Sequence, residues 1–189
     1  MATVGQQLTA PEAGWKRFDD TDPNIIYTGT WNVGVNAEVF HGGTNKWTNT
    51  NGAKLSFTFY GTKLRFWADR NTSGATNAIV YIDGIAYTVN FRNNPATPPV
   101  LLLEVTGLPL GYHTVSLSHT FSSGSNTIAF DCIDIDEDGY LSMIRNQLTS
   151  PQAGWRRYDD SDSGILYNGT WNRITNDSNN HNSTLVYSN

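Results

Sequence analysis

Residues 8–32 read LTAPEAGWKRFDDTDPNIIYTGTWN, and residues 148–172 read LTSPQAGWRRYDDSDSGILYNGTWN. Sixteen of the 25 positions are identical, and exchanges such as Lys16 for Arg156 or Phe18 for Tyr158 keep the chemistry. The offset of 140 residues holds without a gap to the last positions, where Trp47 falls on Tyr187. A repeat this long marks tandem modules, not a solenoid of short units. The predicted organisation is an N-terminal arm at 1–7, a module at 8–141, a linker at 142–147 and a truncated second copy at 148–189. A module of that size buries roughly two thirds of its surface and needs no staples. The piece at 148–189 lacks a core of its own and is expected to pack on its own chain or on a neighbouring subunit.

Alternation at period two says what the module is built from. In residues 54–60, KLSFTFY, Leu55, Phe57 and Phe59 face one way and Ser56, Thr58 and Tyr60 the other. Gly61 and Thr62 turn the chain into residues 63–69, KLRFWAD, where Leu64, Phe66 and Ala68 oppose Arg65, Trp67 and Asp69. Such a pair reads as a hairpin. Strands at 78–82 and 85–91 flank Asp83-Gly84, a dipeptide that tolerates the positive φ of tight turns. Residues 92–99 carry three prolines and read as a loop. Strands at 100–105, 113–118 and 127–136 follow, with short ones upstream at 16–19 and 25–31. About eight to ten antiparallel strands predict an all-β, two-sheet antiparallel jelly-roll sandwich, followed by a partial second copy of its opening strands.

Composition excludes several functions. A formal charge of −5 without a basic run argues against nucleic acid. No apolar stretch is long enough to insert into a membrane as a helix. The single cysteine, Cys132, leaves no disulfide within the chain and reads as a buried small hydrophobe. The opening MATVGQQLTAPEAGW shows no signal peptide pattern.

Three constellations stand out as candidate sites. Asp19, Asp20 and Asp22 recur as Asp159, Asp160 and Asp162. Such a cluster either offers oxygens to calcium or caps turns through nearby N–H groups. Residues 134–139, DIDEDG, open like a calcium loop, but the twelfth position is Arg145 and not the bidentate glutamate. What remains there is a looser calcium site at Asp134, Asp136 and Asp138; no other cofactor is expected. The aromatic and polar face of Trp67, Arg65 and Asp69, beside Tyr60 and Tyr81, is equipped to hold a sugar; the alternative is that it packs on the other sheet or a subunit. Ile165, Leu166, Tyr167 and Trp171 are candidates for subunit contact. His41, His113, His119 and His181 lack metal-ligand spacing, and no G-x-S-x-G elbow is present. The chain is therefore expected not to be an enzyme.

Taken together, GWKRFDDTDPNIIYTGTW, FTFYGTKLRFW, VYIDG, LPLGYHTVSL and FDCIDIDEDGYL resemble the jelly-roll, carbohydrate-binding-module-like repeats of phage tail and minor structural proteins and of bacterial surface proteins. Similar modules accompany secreted glycosidases. The resemblance implies a structural or adhesive component of a surface appendage, a phage tail fibre or extracellular filament, whose subunits meet through residues 148–189. It also implies an alternative, a carbohydrate-binding module for cell-surface or wall glycans. Its implied setting is a virion or the cell surface, and its implied partners are other copies of the chain and glycans.

Overall fold

The computed structural model describes residues 2–118, 126–142, 156–176 and 184–187. The chain divides into two compact units, Met1–Ile144 and Arg145–Asn189. The first is an all-β sandwich in which every named strand pair is antiparallel.

Its strands in chain order are β1 Trp15–Asp19, β2 Ile26–Thr28, β3 Asn32–Val35, β4 Thr44–Thr48, β5 Lys54–Gly61, β6 Leu64–Arg70, β7 Ala78–Ile82, β8 Ile85–Val89, β9 Thr97–Val105, β10 Gly111–Ser118, β11 Ile128–Phe130, β12 Cys132–Asp136 and β13 Tyr140–Ser142. One sheet runs β1-β12-β6-β9 and the other β13-β5-β10-β7-β8, with β2 also paired to β5; a smaller sheet runs β11-β4-β3. The alternation read from the sequence sets the core. Leu55, Phe57 and Phe59 of β5 meet Leu64, Phe66 and Ala68 of β6 in one buried cluster, which Val115, Leu117, Ile133 and Ile135 complete.

Three segments depart from expectation. The hairpin expected of residues 54–69 does not form: β5 pairs with β2, β10 and β13, and β6 with β9 and β12. The turn at Gly61 and Thr62 therefore carries the chain from one sheet to the other, and the apolar faces of the two strands meet across the sandwich. The predicted loop at 92–99 ends early, because β9 begins at Thr97 and includes Pro98 and Pro99. β9 is an edge strand, so prolines there remove no ladder bond that a neighbour needs. The predicted strand at 127–136 is two strands. Asp131 breaks it, donating its N–H to the Trp67 carbonyl at 3.1 Å, and the chain passes from the small sheet into the larger one.

The second unit carries a hairpin, β14 Asn172–Thr175 with β15 Thr184–Tyr187. Its register, Asn172 opposite Tyr187 through Thr175 opposite Thr184, matches that of β3 with β4, 140 residues earlier, where Asn32 faces Trp47. Local contacts repeat as well. Tyr27 and Tyr167 donate their hydroxyls to the carbonyls of Asp20 and Asp160, and Trp31 and Trp171 donate their indole N–H to Thr28 and Asn168. The linker at 142–147 falls beyond Ser142 outside the described residues.

Candidate functional site

The outward face of the β13-β5-β10 sheet is polar except at one end. Register brings three tyrosines together there: Tyr60 of β5 lies opposite Tyr112 of β10 and opposite Tyr140 of β13. Tyr60 stacks on Tyr140 with ring centroids 5.4 Å apart and meets Tyr112 edge-on at 5.1 Å. The phenol oxygens of Tyr112 and Tyr140 lie 2.8 Å apart. Tyr112 is 52 % exposed and Tyr140 43 %. Aromatic rings this exposed offer apolar faces together with polar tips.

Beside Tyr60 a cavity of about 300 Å³ opens between the strand ends, lined by Leu110, Asp136, Glu137 and Asp138 and by backbone at Gly14, Gly61 and Gly139. Its frame is rigid. Asp136 accepts the N–H of Thr62 at 2.6 Å, the Thr62 hydroxyl at 2.8 Å and the N–H of Lys63 at 3.1 Å, which ties the β5–β6 turn to the end of β12. Partial burial pushes the Asp136 carboxyl up, but these bonds outweigh it and hold the group below the usual carboxylate range. Gly139 is required by close approach: a Cβ there would come within 2.8 Å of the Tyr60 carbonyl oxygen. Glu137 and Asp138 are exposed at the rim.

The five predicted sugar-binding residues do not come together. Tyr60 is in the cluster. Tyr81 lies on the same sheet face, opposite Ser116, and is 37 % exposed. Trp67 and Arg65 are each only 1 % exposed, so the open platform drawn from them is corrected. The arm covers the outward face of β6: Gly5 and Gln6 bond to Leu101 of β9, and Ala2 and Leu8 pack with Trp67. Trp67 donates its indole N–H to Asp134 at 3.0 Å and lies under the Arg17 guanidinium, 4.8 Å from the ring centre. Arg65 is held by Glu12 at 2.8 Å and Glu104 at 2.6 Å and stacks over Trp15 at 4.0 Å. Asp69 accepts from the Asn45 amide at 2.6 Å, and burial raises its pKa.

The calcium candidates disperse in the same way. Among the described residues no group of three His, Cys, Asp or Glu side chains is placed to hold a metal. Asp19 caps the Thr21 N–H at 3.1 Å and Asp22 caps Asn24 at 2.8 Å, as turn aspartates do. Asp20 is buried and accepts from the Thr44 hydroxyl. Asp134 serves Arg17, Asp136 serves the turn, and Asp138 is at the cavity rim. In the second unit, Leu166 is 92 % exposed, while Ile165, Tyr167 and Trp171 are about two fifths exposed.

No protein-family model matches the chain. It is 32 % identical over 166 residues to an A type blood α-D-galactosamine galactosaminidase of Flavonifractor plautii, a match covering 88 % of this chain and 14 % of that protein. It is 41 % identical over 100 residues to an A type blood N-acetyl-α-D-galactosamine deacetylase of the same organism, covering 52 % of this chain and 13 % of the relative. Among solved structures it is similar to a family two carbohydrate esterase from Cellvibrio japonicus, with a TM-score of 0.47, 17 % identity, and coverage of 65 % of this chain and 33 % of that one. The expectation that the chain is not an enzyme is thereby corrected: both curated relatives are named as carbohydrate-processing enzymes, although the chain spans only a small part of each. The same names favour the carbohydrate alternative over the appendage reading.

Proposed function

We propose that the chain is a glycan-recognition part of a carbohydrate-processing enzyme and holds a sugar residue against Tyr60, Tyr112 and Tyr140. One observation carries this reading: Tyr60 lines a cavity rimmed by carboxylates and packs against two strongly exposed tyrosines, Tyr112 and Tyr140. A pyranose has a C–H face that stacks on an aromatic ring and hydroxyls that donate to Glu137, Asp138 and the phenol oxygens. Binding sites of this kind combine apolar walls with a few placed polar groups. The kinship to proteins named for galactosamine and N-acetylgalactosamine supports galacto-configured sugars as the first ligands to try.

The test is calorimetric titration of the full chain with glycans ending in galactose and in N-acetylgalactosamine, repeated with Tyr112→Ala. Binding by the wild type that weakens about tenfold in the variant is the expected result. A wild type that binds neither glycan defeats the proposal.

A further inference from the structure

We infer that the tyrosine-bordered cavity prefers a sugar carrying a free, protonated amine over the N-acetylated or neutral sugar, a preference that rests on the glycan-recognition reading above. The lining supplies the charge. Asp136, Glu137 and Asp138 converge on the cavity, and among the described residues no lysine or arginine lines it. Asp136 is engaged by Thr62 and Lys63, which leaves the exposed Glu137 and Asp138 to face a ligand. Lys63, in the adjoining turn, directs its ammonium over the Trp15 ring, 4.3 Å from the centroid. It offsets only part of the negative charge.

An ammonium group suits this rim in two ways. Its three N–H donors make charge-assisted bonds to carboxylates, which are stronger than bonds between neutral partners. Its charge is also drawn to the faces of tyrosine rings, and Tyr60, which lines the cavity, packs against Tyr112 and Tyr140. Acetylation removes the charge and two of the donors. A sugar acid would meet repulsion from both exposed carboxylates.

The deciding experiment titrates the full chain with galactosamine, N-acetylgalactosamine and galactose at mildly acidic pH and low salt. Galactosamine is expected to bind about tenfold more tightly than the other two, with the gap narrowing as salt is added. The double variant Glu137→Gln, Asp138→Asn changes exposed side chains that also accept sugar hydroxyls, so it should weaken all three sugars and galactosamine the most, closing the gap between them. Equal or tighter binding of N-acetylgalactosamine or galactose by the wild type overturns the inference, and so does a double variant that keeps the preference for the amine. Failure of the wild type to bind any of the three defeats the glycan-recognition reading itself, which separates the two failures.

Discussion

The hydroxyls of Tyr112 and Tyr140 share a hydrogen bond of 2.8 Å across 28 residues of sequence. It locks two rings from different strands against Tyr60. Removing the hydroxyl and removing the ring therefore have different consequences. Tyr140→Phe keeps the stacking on Tyr60 and is expected to retain sugar affinity within about threefold. Tyr140→Ala removes a wall of the platform and is expected to lose about tenfold. Calorimetry on both variants separates the two contributions, and equal losses would mean that the hydroxyl pair matters more than the ring.

Trp67 belongs to the framework. Its ring is buried beneath the arm and the Arg17 guanidinium, and its indole N–H is spent on Asp134. Trp67→Ala leaves a large cavity and removes a donor from a buried carboxylate. The expected cost is about 3–5 kcal/mol of stability, read as a shift in the denaturant midpoint. A midpoint unchanged from wild type would contradict this placement.

These two cases show what sequence reasoning reaches. Alternation in residues 54–60 and 63–69 correctly divided the core residues Leu55, Phe57, Phe59, Leu64, Phe66 and Ala68 from their opposites. It could not say what lies over the opposite face. That face is open at Tyr60 but covered at Trp67, because the arm bonds to β9, a tertiary event with no local signal. Tyr112 and Tyr140 were missed for a related reason. Each is a single aromatic in a polar segment, and only the pairing register of β5 with two distant strands gathers them. The strand break at Asp131 carries little signal either, because aspartate is disfavoured in strands generally and yet Asp134 stays within β12.

Asp131 makes the module's stability depend on pH. Burial raises its carboxyl to about 7, against the opposing bonds from the Cys132 thiol and the His41 N–H. The folded state thus holds this proton more tightly than the unfolded chain. The resulting contribution is complete below the ordinary value of 3.8 and is lost as pH rises through about 7. Asp131→Asn keeps an acceptor for His41 and never ionises. Its melting temperature should exceed that of wild type by roughly 3–6 °C at alkaline pH and lose that advantage in acid. A constant difference across pH would remove Asp131 as the titrating group.

His113 and Asp83 add a second, separable pH effect. Asp83, in the β7–β8 turn, accepts from His113 Nδ1 at 2.6 Å and from the Thr114 N–H at 2.8 Å, and His113 Nε2 donates to the Pro109 carbonyl at 2.8 Å. With both ring nitrogens donating, the imidazole is held in its charged form. Burial pulls the His113 pKa down, but the bonds to Asp83 and the Pro109 carbonyl and the charge of Asp83 together outweigh it, and the net shift is upward. Burial likewise raises Asp83, and the bonds from His113 and Thr114 reverse it to a net lowering. The histidine's contribution is complete below its ordinary 6.5 and fades as pH climbs through the higher folded value. The aspartate's is present above its ordinary 3.8 and fades as pH falls through the lower folded value. The pair therefore stabilises most between 3.8 and 6.5. Because Asp131 also loses stability on the alkaline side, the comparison belongs in the Asp131→Asn background. There, melting temperature should still fall as pH rises above 6.5, and adding His113→Gln should flatten that limb. A decline that persists in the double variant would assign the alkaline loss to another group.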